Sequence, residues 1–336
     1  MARNRLRDLY RSSAHRTSIP LEESSAVGEF DVDIDAIPDK RLELMFVCAH
    51  PAIEAGVRTP LMLQTVLGIE SEQIAQAFAL RAPAMAQRLV RAKRRIRDAR
   101  IPFVVPSRDD MPGRLPAVLE AIYGVYAIDW QLVSGTTVRE SLSAEALYLA
   151  VTLATLLEEP EALGLAALIS LSIARTPART PETFVPLEEQ DTTLWNADLI
   201  AKGETLLRRA HTFGRIGRFQ IEAAIQSVHG DRARSGITDH AALRALYEAL
   251  ARLAPTLGGL VSLAAAVGET DGTEAGLDVL DRIEGVDHFQ PAWATRAHLL
   301  SRLGRADAAN EAYARAISLT TDAASREFLR LRARRA

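Results

Sequence analysis

Apolar positions recur every three or four residues along most of this 336-residue chain, and no stretch alternates with a sustained period of two. That spacing gathers apolar side chains on one face of a helix, so the pattern predicts an all-α protein. Between residues 40 and 105 it predicts four helices. Asp39 stands as a cap before Leu42, Met45 and Phe46, and a break at Ala49, His50 and Pro51 precedes a second helix at 61–67, after Thr59 and Pro60. Ser71 reads as the N-cap of a third, which carries Glu72 and Gln73 in its first turn and Ile74, Ala75 and Phe78 at helical spacing, and which ends near Leu80. Pro83 fits the first turn of a fourth helix, where no N–H is needed, and Met85, Leu89, Ala92 and Ile96 follow on its core side. The last two form a helix-turn-helix.

Further along, the pattern predicts helices at 115–134, 141–158 and 160–176, with Leu119, Ile122, Leu147, Val151 and Ala154 buried. A loop marked by Pro177, Pro181 and Pro186 separates these from helices at 193–212, 216–229, 239–253, 257–268, 273–283, 290–303, 306–319 and 322–335. Trp195 reads as a core aromatic whose indole N–H needs a partner. Residues 292–319 resemble a tetratricopeptide unit: small Ala297 and Ala309 let two helices approach, Leu300 and Tyr313 fill between them, and Gly304 makes the turn. Such pairs complete their cores on neighbouring pairs.

Charge changes the picture most at the fourth helix. Eight basic side chains from Arg81 to Arg100 oppose Asp98 alone, a local charge of +7 in a chain of net charge −3. A guanidinium-rich face behind an apolar seam is the electrostatic footprint of DNA binding, against the plainer reading of a solvated charged face. The expected DNA-binding residues are Arg81, Ala84, Gln87, Arg88, Arg91, Arg94 and Arg95. Base edges are expected near Gln87 and Arg88, and phosphates at Arg91, Arg94 and Arg95.

The segment MAQRLVRAKRRI resembles the recognition helix of domain four of bacterial RNA polymerase sigma factors of the extracytoplasmic-function group. DKRLELMFVCAHPAI, IPFVVP, LEEQDTTLWNADLIAKG and FQIEAAIQSVHG resemble the subfamily with a tetratricopeptide-like C-terminal extension. The resemblance implies a domain-four-like helix-turn-helix module at 40–105 and a helical extension at 106–336. It further implies promoter DNA and the flap of core RNA polymerase as partners, with a regulatory protein as a candidate partner of the extension. Arg3, Arg5, Arg7, Arg11 and Arg16 resemble the helix that closes domain two, and nothing precedes them, so domain two is expected to be missing. The acidic stretch from Thr17 to Asp39 reads as a linker, or as a segment that lies on the +7 helix. Where the family carries Asn-Glu-Gly-Tyr, residues 126–130 read YAIDW.

Other classes find little support. No HExxH, GxSxG, Walker or GxGxxG spacing occurs, so neither an enzyme nor a cofactor is expected. Cys48 and His50 alone are a weak metal signal, and no metal site is expected. A single cysteine and the lack of a signal-peptide core make the cytoplasm the expected location, with no membrane partner. The alternatives are a helical interaction scaffold with a vestigial helix-turn-helix, and a ligand-sensing regulator, which would require a closed apolar pocket in the second region.

Overall fold

The computed structural model describes residues 37–78, 80–101, 104–132, 140–179 and 183–335, and its described residues hold fifteen α-helices, four short 3-10 turns and no strand. The basic N-terminal stretch and most of the acidic linker lie outside the described residues.

The first four helices are α1 (Lys40–Cys48), α2 (Ala55–Thr65), α3 (Ser71–Ala77) and α4 (Ala82–Asp98). Asp39 caps α1 as expected, its carboxylate accepting the Arg41 N–H at 2.7 Å. Three expectations need correction. Helix α2 starts at Ala55, six residues before the expected start, and Pro60 lies inside it as a buried core residue. A proline that early costs the helix one ladder bond and is tolerated where the ring is packed. In α3 the N-cap is Glu70 and Ser71 is already helical; Phe78 falls past the helix end and is 38% exposed, because Ile74 and Ala75 alone reach the core from so short a helix. Helix α4 places Pro83 in its first turn, buries Met85 and Leu89 and rests Ala92 and Ile96 against the core, as expected. Its C-terminus is closed by Arg100 at φ 49°, with the Ile101 N–H donating to the Ile96 carbonyl at 3.1 Å, a left-handed cap usually built on glycine.

The core does not stop at residue 105. Met45, Phe46, Met62, Leu63, Ile74, Met85 and Leu89 share one apolar cluster with Val118, Ile122 and Val125 of α5 (Met111–Leu132). Arg114 of α5 also donates to the Phe46 carbonyl at 3.1 Å. The cluster runs on through α6 (Glu140–Leu156) and α7 (Pro160–Ile173) to α8 (Ala197–His211) and α9 (Arg218–Ser235). Leu119, Ile122 and Ala154 are buried as expected, while Leu147 and Val151 are partly covered. Helix α7 is the centre: residues from Pro160 to Ser172 are buried almost without exception. Its Glu161 carboxylate accepts the Phe219 and Gln220 N–H groups at 2.9 and 3.2 Å, satisfying the free donors at the start of α9 from a neighbouring helix. A Cβ at Gly164 would come 2.8 Å from the Gln220 nitrogen, so only glycine allows α7 and α9 to approach this closely.

The remaining helices are α10 (His240–Leu253), α11 (Leu257–Thr270), α12 (Thr273–Asp281), α13 (Gln290–Arg302), α14 (Ala306–Leu319) and α15 (Ala323–Ala333). From α11 onward they build a second apolar cluster, while Ile221, Ile225, Leu243 and Leu250 form a small third one between α9 and α10. The α13–α14 pair has the expected anatomy: Ala297 and Ala309 are fully buried between the helices, Leu300 and Tyr313 nearly so, and Gly304 turns at φ 70°. The preceding pair is closer still, with a Cβ at Gly276 reaching 2.7 Å from the Gly268 Cα. Arg305 binds Glu274 at 2.7 Å and Arg296 binds Asp281 at 2.5 Å, tying one pair to the next. No helix among the described residues is long and apolar enough to cross a membrane.

Candidate nucleic-acid interface

Helix α4 has seventeen residues and fully buries two of them. Its apolar seam is therefore narrow, and most of its circumference is left to charge. Ala84, Arg88, Arg91 and Arg95, spaced by four, three and four residues, form one stripe along a groove of about 610 Å3 between α4 and the turn before α2. Ile53, Val57 and Leu80 give that groove an apolar lining, and Glu54 stands on its rim. Gln87 and Arg94, seven residues apart, lie on the neighbouring exposed strip.

The expected residues differ in how free they are. Arg81, Ala84, Gln87, Arg91, Arg94 and Arg95 are exposed. Among the described residues no carboxylate pairs with Arg81, Arg91 or Arg95, while Arg94 reaches Asp98 at 3.4 Å in an exposed pair of little strength. Arg88 is drawn back: its guanidinium lies 3.8 Å from Glu54, and a Cβ on Gly56 would meet its Nη2 at 2.6 Å. Lys93, left out of the expected set, donates to Gln64 of α2 at 2.7 Å. Glu54 and Gln64 escaped sequence reasoning because each meets α4 only through the fold.

Cys48 and His50 serve the end of α1. The thiol sits 3.9 Å from the Thr65 hydroxyl, where burial pushes its pKa up, and the His50 Nδ1 accepts the Ala52 N–H at 3.1 Å. Among the described residues no group of three or more His, Cys, Asp or Glu side chains is placed to hold a metal.

Fold and surface together define a class: an all-helical protein that presents one basic, narrowly anchored helix from a core shared with a long helical extension. Residues 114–211, which run from within α5 to the end of α8, match a family of unknown function (DUF6596). The chain belongs to the family of the uncharacterized protein R00370 of Rhizobium meliloti (strain 1021), to which it is 34% identical over 351 residues, covering 98% of this chain and 81% of that one. No solved structure matches it.

Proposed function

We propose that this chain is a sigma-factor-like regulator of transcription initiation. In this reading the 40–105 module lays α4 in the major groove of the upstream promoter element and meets the core polymerase flap, while residues 106–336 form a tetratricopeptide-like extension for regulation or protein contact. The observation that supports it best is the stripe of Arg91 and Arg95 beside Ala84: exposed cations, unpaired among the described residues, on the flank of a helix whose core seam is held by Met85 and Leu89. Free guanidinium groups at helical spacing can follow a line of phosphates, and each phosphate neutralised releases counterions. Arg88 would read a base edge after leaving Glu54, which is an exposed and weak partner.

Fluorescence anisotropy of the full chain on duplex DNA tests this. With about four phosphates neutralised, the slope of log K against log salt is expected near −3.6, and affinity falls on the order of a hundredfold from about 50 to 200 mM salt. Salt-independent binding, or none, sinks the proposal. Recovery of core RNA polymerase on the immobilised chain tests the second partner.

A further inference from the structure

A crevice of about 550 Å3 opens where the three apolar clusters meet, with Tyr126 and Leu168 from the first, Ile225 and Leu250 from the third and Val261 from the second on its walls. That volume suits a small organic molecule. Its polar wall is built from pairs: the Tyr126 hydroxyl bonds Ser172, and the Tyr247 hydroxyl bonds Ser262. It is not the closed apolar pocket that a ligand sensor was expected to need.

Gln226, also on the wall, accepts a hydrogen bond from Arg175. Arg175 follows α7 and is 4% exposed, yet among the described residues no carboxylate pairs with it and its Nη1 has no hydrogen-bond partner. A buried cation without a counter-ion is costly and calls for an explanation. Its surroundings do not supply one, since Arg179 and Arg232 add positive charge. The Trp195 ring lies 6.0 Å from the Arg175 guanidinium carbon and 5.1 Å from that of Arg232, and its indole N–H is likewise buried without a partner. The acid on the wall, Glu222, pairs with Arg218 at 2.7 Å, and Arg218 also binds Glu120 at 2.9 Å.

We propose that this crevice binds a small organic anion, an oxyanion head on an apolar or aromatic body, with Arg175 as its counter-ion. Arg175 stands behind Gln226 and off the crevice wall, so the head reaches the guanidinium by taking the place of the Gln226 carbonyl oxygen, and the body lies against Leu168, Ile225, Leu250 and Phe289. An occupant would bridge all three clusters, coupling the core beneath α4 to the helix pairs of the extension.

Calorimetric titration of the full chain, without DNA, uses three probes that share a phenyl ring: phenyl phosphate, benzoate and neutral benzyl alcohol. At least one anion is expected to bind and the alcohol not to, and the better anion identifies the head as phosphate or carboxylate. Arg175→Gln is expected to weaken anion binding by about tenfold or more, the worth of a charge-assisted hydrogen bond. Gln226→Glu, which installs a carboxylate beside the guanidinium, is expected to abolish anion binding and raise the melting temperature, and it decides the matter if Arg175→Gln does not fold. No binding by either anion, equal binding of the alcohol, or anion binding retained in the folded variants overturns the proposal.

Discussion

Helices α4 and α7 are of similar length and opposite design. Helix α7 runs PEALGLAALISLSI and is covered on every side, its small residues letting α6, α8 and α9 approach. Helix α4 touches the core along one seam and leaves Arg81, Arg91, Arg94 and Arg95 to solvent. A change in α7 should therefore be read in stability and a change in α4 in binding, because burial sets how much of a side chain's free energy belongs to folding.

That division can be broken by experiment. Leu165→Ala on α7 removes a fully buried side chain and is expected to cost about 2–5 kcal/mol in urea unfolding. A cost below about 1 kcal/mol would show that the centre collapses around cavities. On α9, burial foremost, with Arg175, His240 and Arg232 nearby, lowers the His229 pKa from 6.5 to about 4. A base with a lower pKa when folded binds fewer protons than the unfolded chain, so its contribution is full above pH 6.5 and lost as pH falls toward 4. Unfolding free energy is expected to drop by up to about 3 kcal/mol across that window, and His229→Gln should flatten this component.

On α4 the expectations reverse. Arg91→Ala with Arg95→Ala should leave stability within about 0.5 kcal/mol while reducing the DNA salt slope by about 2, read by anisotropy over a salt series. Glu54→Ala should change stability least, by a few tenths of a kcal/mol, because its pair with Arg88 is long and exposed. It should tighten DNA binding by freeing that guanidinium; unchanged or weaker binding would remove Arg88 from the interface.

The helices were legible where apolar spacing was regular, as in α4 and the α13–α14 pair. The start of α2 was not, since Pro60 read as a boundary although its ring packs inside a helix. The basic face of α4 was visible because it is local in sequence. Arg88's retreat to Glu54 was not, being set by how α2 and α4 pack. The crevice was hidden for the same reason: Tyr126, Ser172, Gln226 and Tyr247 come from four helices, and no spacing links them. A partial signal existed in α9, where Glu222, Gln226, His229 and Arg232 recur at steps of four, three and three and put a polar row on one face.

The apolar cluster that crosses residue 105 also bears on how the chain comes off the ribosome. Helices α1 to α4 emerge first, but Met62 and Leu63 are covered only when Val118, Ile122 and Val125 of α5 arrive. At about 5–20 residues per second, the roughly fifty residues between α2 and α5 take on the order of several seconds. Through that interval the nascent α1–α4 segment has an open apolar side, a site where a holdase chaperone can engage before the basic face of α4 is set in place.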